Sequence, residues 1–211
     1  MVLAAGSTAH ADVQWDKGLV TANGIGIADR HAPSPASARE PARRAAEDAA
    51  RAKLAAQIPS LPLATKQTVK ARLSEAKIKA RIDRAVAAAI VIDSTPQTDG
   101  SWTVTMAVPI EAVRQAISGT RALDLKAGAK DDHADPPVVV VTDVPLKPSI
   151  VWAVGSSDAA TIWVDSEAAL PAWAKAAPRA KAVGVKGGTI GLESTGAVGG
   201  PSTLFVLVPK K

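Results

Sequence analysis

The sequence predicts an α+β protein, in which an antiparallel sheet covered by helices on one face is followed by a smaller, mainly β region. Three observations carry this. Residues 20–58 run from a Gly-containing apolar stretch through a Pro/Ser break into an Ala-rich, charged helix. Trp102, Val104, Met106 and Val108 alternate with Ser101, Thr103, Thr105 and Ala107, the period of a strand with one buried face. Beyond residue 137 the apolar runs are short and separated by Gly, Pro and Ser clusters.

The first strand is expected over Val20–Ala28, with Val20, Ile25 and Ile27 toward a core. Ala42, Ala46, Ala50, Leu54 and Ile58 then recur at helical spacing. Alanine buries little area but lets a helix backbone lie close to a sheet, so this helix is read as the cover of the first strand and its neighbours. Ser37 and Glu40 have capping-box spacing, and Pro41 falls in the first turn, where proline is tolerated. Arg43–Glu47, Arg44–Asp48 and Glu47–Arg51 are opposite charges four residues apart on the solvated side.

Thr68–Leu73 fits either a strand or an early helical turn. From Ser74 a helix is expected with Ile78, Ile82, Ala85 and Val86 on its core side. Ala88–Asp93 reads as a short strand, joined through Thr95–Gly100 to Ser101–Val108 in an antiparallel hairpin that buries Trp102, Val104 and Met106. Pro109 opens a helix with Ile110, Val113 and Ile117 inward and Gly119 as its stop. Six apolar runs follow, Val138–Val141, Ile150–Val154, Thr161–Val164, Ala182–Val185, Thr189–Leu192 and Leu204–Val208, with one helical interval at Ser166–Ala177. The expected organisation is a signal remnant over 1–11, an α/β domain over 12–120, a linker over 121–137 and a β region over 138–211.

Composition narrows the function classes. With five Trp, one Phe and no Tyr, the core must rest on Val, Ile, Leu and Ala, and stacking surfaces for bases are few. No cysteine is present, which removes disulfides, thiol catalysis and thiolate metal sites, and also a lipid-bearing cysteine unless a segment upstream of these residues supplies it. Ala9-His10-Ala11 after an apolar stretch has the small-x-small form of an export cleavage site, so Asp12 is expected to begin the mature chain and the location to be periplasmic. No run reaches the ~20 apolar residues of a membrane-spanning helix.

The order of these elements resembles a known family. A strand bearing Gly24-Ile25-Gly26, a helix reading REPARRAAEDAARAKL, a second helix, a strand, and DGSWTVTMAVPI entering a helix are together similar to the LPP-type outer-membrane lipoproteins and the N-terminal domain of the flagellar assembly protein FlgT. The resemblance covers residues 15–120, and VVVVTDVPLKPSI resembles the segment after that domain in longer relatives. It implies an exported structural or assembly factor of the cell envelope, of the kind associated with the outer membrane or with a flagellar or secretion structure. It carries no catalytic residues, and the absent lipobox cysteine departs from its lipoprotein members.

Motifs with chemical potential are weak. Asn23-Gly24-Ile25-Gly26 lacks the third glycine of a dinucleotide loop and no helix follows at once to hold a phosphate. Asp131, Asp132, His133 and Asp135 offer cation ligands but without the ordered spacing of a calcium loop, and read as an acidic linker. Ser194 lacks the first glycine of a nucleophile elbow, and with only three His in the chain no triad is evident. No catalytic residue, cofactor or metal is expected.

Charge is more telling. Residues 37–84 hold 12 Lys/Arg and 5 Asp/Glu, a net +7 against +5 for the whole chain. This face, represented by Arg43, Arg51, Lys77 and Arg81, is expected to meet an anionic envelope component or an acidic envelope protein, or else to be plain solvated surface. Nucleic acid is disfavoured, since neither stacking aromatics nor a helix-turn-helix pattern accompanies the charge. Trp102 is assigned to the core, and Trp152, Trp163 and Trp173 to the core ahead of an interface. The expected function is a non-enzymatic docking or assembly module. The alternatives are a periplasmic ligand-binding or hydrolytic protein with its site in the C-terminal β region, and a cytoplasmic polyanion binder.

Overall fold

The computed structural model describes residues 12–118, 138–155, 157–158, 160–193 and 203–210. The proposed signal remnant, Gly119, the linker with Asp131, Asp132, His133 and Asp135, and Ser194 lie outside these residues. Among the described residues the chain is α+β, as the sequence predicts.

The first sheet has four strands in the order β1-β2-β4-β3, all antiparallel: β1 (Asp12–Gln14), β2 (Leu19–Gly26), β3 (Ile90–Pro96) and β4 (Trp102–Pro109). Helices α1 (Pro35–Gln57), α2 (Ala76–Ala87) and α3 (Ile110–Ser118) share one core with it. Ala42, Ala46, Ala50, Leu54 and Ile58 are all buried, and so are Ile78, Ile82, Val86, Ile110, Val113 and Ile117. Where the sequence fits either a strand or a turn at Thr68–Leu73, a single 3-10 turn forms at Val69–Arg72.

The contact between α1 and β2 corrects one expectation. Ile25 and Ile27 do not face the core; they are 63% and 80% exposed. Gly24 and Gly26 take the inner side, because α1 lies directly on the strand. A Cβ at Gly24 would stand 1.8 Å from the Ala46 carbonyl oxygen, and one at Gly26 would stand 1.7 Å from that of Ala42. No side chain fits there. Away from this contact both partners carry larger residues, with Ala22 and Val20 on the strand and Leu54 and Ile58 on the helix, all within one core. The helix and strand therefore form a wedge, tight at the glycines and filled by aliphatics at the other end.

Three local expectations also shift. The helix starts at Pro35, with Ser34 as its cap: the Ser37 amide donates to Ser34 Oγ at 3.2 Å and the Ser34 amide donates to Ser37 Oγ at 3.1 Å. Ser34 precedes a proline, which favours the extended backbone that an N-cap needs (φ −156°, ψ 159°). Glu40 is thus not the capping carboxylate, and Pro41 lies inside the helix. The hairpin forms, but Trp102 is half-buried while Val104 and Met106 are fully buried. Trp102 lies near the end of its strand, opposite Pro96 and Gly26, and its Nε1 donates to Ser94 Oγ at 2.7 Å. Pro109 closes β4 instead of opening the helix.

The second sheet has seven strands: β5 (Val138–Val144), β6 (Ala153–Val154), β7 (Ser157–Asp158), β8 (Ala160–Trp163), β9 (Arg179–Lys186), β10 (Thr189–Leu192) and β11 (Leu204–Pro209). Their order is β7-β6-β10-β9-β5-β11-β8, with β5, β8, β9 and β11 parallel to one another. The unbroken apolar runs VVVV and LFVLV belong to β5 and β11, which are buried on both faces. Val139, Val141, Phe205 and Leu207 join Trp152 and Trp163 on one face; Val140, Val206 and Val208 meet Leu170 and Ala174 on the other. The helical interval expected at Ser166–Ala177 is instead two 3-10 turns, Glu167–Ala169 and Ala172–Ala174, because Pro171 interrupts it with an extended backbone.

Three points join the sheets. The Trp163 amide donates to the Trp15 carbonyl at 3.2 Å, and Trp15 packs against both cores. The Ala64 amide donates to the Ile150 carbonyl at 2.9 Å, and the Ile150 amide donates to the Pro62 carbonyl at 2.9 Å. Val151 has φ 61°, a conformation that β-branched residues rarely adopt. Residues two apart in a regular strand point to one side. The turn at Val151 instead sends Ile150 into the first core and Trp152 into the second.

Candidate functional site

The charged face divides into two parts. On α1, Arg43 lies between Glu40, which accepts from its Nη2 at 2.9 Å, and Glu47, which accepts from its Nη1. Arg44 also donates to Glu40, at 2.9 Å, and Arg51 pairs with Asp48 at 2.8 Å. The expected Arg43–Glu47 pair forms; Arg44 and Arg51 choose different carboxylates from those predicted. Hydrogen bonds from Arg43 and Arg44 hold the Glu40 carboxyl below its ordinary pKa, and Glu40 raises that of Arg43. The charges of α1 are therefore largely answered along the helix itself.

The second part is the 3-10 turn and α2. Residues 66–84 hold seven Lys/Arg (Lys66, Lys70, Arg72, Lys77, Lys79, Arg81 and Arg84) and two Asp/Glu, Glu75 and Asp83. Arg72 pairs with Glu75 and Lys79 with Asp83. Lys77 and Arg84 are exposed, and Arg81 donates through Nη1 to the Ala116 carbonyl at 3.4 Å; none has a carboxylate partner among the described residues. Ile78, Ile82 and Val86 fix the opposite side of the helix in the core, so these cations stand on a rigid element. Of the four sequence-selected residues, Lys77 and Arg81 thus present uncompensated charge, whereas Arg43 and Arg51 are tied to carboxylates.

Two hollows lie outside this face among the described residues. A hollow of about 310 Å³ in the second sheet is lined by Asp143, Pro145, Lys181, Ala182, Val183, Gly184 and Lys210. Another, of about 260 Å³, lies at the entrance to α1 and includes Ile27, Arg30, Ser34 and Asp99. Asp99 caps its own turn, accepting from the Ser101 amide at 2.9 Å and hydroxyl at 2.5 Å, which lowers its pKa. Among the described residues no three His, Cys, Asp or Glu side chains gather as metal ligands, and no helix is long and apolar enough to cross a membrane.

Trp152 and Trp163 are core residues with ring centroids 6.4 Å apart, and Trp173 is 54% exposed. One surface escaped the sequence reading: Ile90, Val91 and Ile92 lie on the outermost strand and are each about half exposed. Their unbroken apolar run resembled a buried strand, and only the sheet order distinguishes an edge. Compared with known protein families and with curated proteins, the chain matches none.

Proposed function

We propose that this chain is a non-enzymatic, exported protein of the cell envelope that acts as a docking module, presenting residues 66–84 to an anionic partner. The observation that carries the reading is that Lys77, Arg81 and Arg84 on α2 meet no carboxylate among the described residues, on a helix anchored by Ile78, Ile82 and Val86. Opposite charge at such a face draws a partner in over about 8–10 Å at ordinary ionic strength. The LPP/FlgT-like order of elements and the Ala9-His10-Ala11 motif support an envelope location.

The test is a crosslinking pull-down from native envelope, repeated with Lys77→Glu/Arg81→Glu. Capture should weaken with salt and fall in the variant. Unchanged partners with unchanged salt dependence would show the face to be solvated surface only. Arg43→Glu/Arg51→Glu is the wrong probe, because it sets like charges beside Glu40, Glu47 and Asp48 and weakens α1 itself. N-terminal sequencing bears on export separately: native protein starting at Met1 in the cytosol ends that part of the reading.

A further inference from the structure

We propose that the hollow between β5 and β9 binds a small amino dicarboxylate, of the size and charge of an acidic amino acid. The inference is independent of the docking role of α2. The hollow exists because two parallel neighbours part at their carboxyl ends. β5 and β9 pair from Val140 opposite Arg179 as far as Thr142 opposite Lys181. Asp143 then takes φ 61° and ends the ladder, while β9 runs on to Lys186 beside β10. In open parallel sheets a crevice outside the carboxyl ends of the strands, where neighbours diverge, is the usual place for a ligand. The left-handed backbone of Asp143 is strained, and such strain persists only where the surroundings hold it. Here the end of β11 does so, since the Lys210 amide donates to the Val144 carbonyl at 2.9 Å.

Charge selects the ligand. Asp143 on β5, Lys181 on β9 and Lys210 at the end of β11 line the hollow together. None of these three side chains has a hydrogen-bond or ion-pair partner among the described residues, and the carboxylate does not pair with either amine. Opposite charges that share one hollow without closing on each other leave space between them for a third body. Two ammonium groups and one carboxylate are answered group for group by a ligand with two carboxylates and one ammonium. At roughly 30 Å³ for each water-sized group, the volume of about 310 Å³ holds about ten non-hydrogen atoms, the size of aspartate or glutamate. Inorganic phosphate answers the lysines but sets its own negative charge against Asp143. Gly184 keeps the wall open, because a Cβ there meets nothing within 4 Å.

Titration of the full chain with L-glutamate, glutarate and inorganic phosphate, followed through backbone amide chemical shifts, tests this. The expected result is saturable shifts centred on residues 143–145, 181–184 and 210, in the millimolar range because the three charges stand exposed to screening. Glutarate, which lacks the ammonium, and phosphate should each bind about tenfold more weakly than glutamate. Asp143→Asn removes the charge but keeps a residue that tolerates the left-handed backbone. It should reverse the preference, so that glutarate binds at least as well as glutamate. Lys181→Ala/Lys210→Ala should abolish the shifts, and Gly184→Leu should block them by filling the hollow, both with an unchanged thermal midpoint. An absence of saturable shifts at this place, phosphate binding as tightly as glutamate, a preference indifferent to Asp143→Asn, or glutamate binding that survives Gly184→Leu would each overturn the proposal.

Discussion

The two sheets make their tightest contacts by opposite means. In the first, α1 meets β2 through Ala42, Ala46 and Ala50 against Gly24 and Gly26, so the contact is backbone on backbone. In the second, Phe205, Trp152, Trp163 and a set of valines fill the space between strands, so the contact is side chain on side chain. The difference teaches where each half tolerates change. A backbone seam is intolerant of any added atom, because carbonyls held in a helix cannot move aside; a side-chain core is intolerant of removal, because its neighbours collapse only partly.

The largest effect should come from the second sheet. Phe205→Ala, at a fully buried position on a strand hydrogen-bonded on both sides, should cost about 3–5 kcal/mol in denaturant unfolding. A cost below about 1 kcal/mol would show that this core does not depend on its large residues. Next, Gly24→Ala should cost about 3 kcal/mol, since its single methyl group collides with the Ala46 carbonyl. A stable variant would mean that α1 can lift from β2 cheaply, and the contrast between the sheets would fail.

Trp102→Ala sharpens the comparison from the margin of the first core. Half-buried and bonded to Ser94, Trp102 should cost about 1–3 kcal/mol, less than a fully buried aromatic. A loss as large as that of Phe205→Ala would make it a true core residue. The smallest effect reverses sign: Gly184→Ala in β9 meets nothing within 4 Å, so it should be neutral or stabilise by about 0.5 kcal/mol. The same substitution in two strands, with opposite outcomes in thermal unfolding, is the most direct check that the seam and not glycine itself is the cause.

Much of the first region was legible. The 3.6-residue recurrence of Ala42 to Ile58, and of Ile78, Ile82 and Val86, marked buried faces correctly, since a helix has only one side to hide. The face of β2 was not legible. Gly24 and Gly26 alternate with Ile25 and Ile27, and hydrophobicity alone puts the isoleucines inside. The hidden signal was the match of two small residues on the strand to three alanines on the helix. The ion pairs were legible as a set but not in their pairing, because Arg43 and Arg44 both reach Glu40 across one turn. For the candidate site, the excess of positive charge was readable by counting, whereas its concentration on α2 depended on which carboxylates α1 used up. The exposed Ile90–Ile92 edge was unreadable, since an apolar run fits a central strand equally well.

By itself the sequence determined the three helices, the strands β2, β3 and β4 and most of the strands beyond residue 137, which helix stripes are buried, that a hairpin joins β3 to β4, and that these residues hold no cysteine chemistry. These are local properties, set by periodicity, turn residues and composition within a few residues of each other. Only the tertiary structure decided that glycines rather than isoleucines face α1, that β5, β8, β9 and β11 run parallel, that β3 stands at an edge, and that Val151 turns Ile150 and Trp152 into different cores. Each depends on what lies on the far side of a strand, and a strand's own residues allow either face and either neighbour until the elements around it are in place.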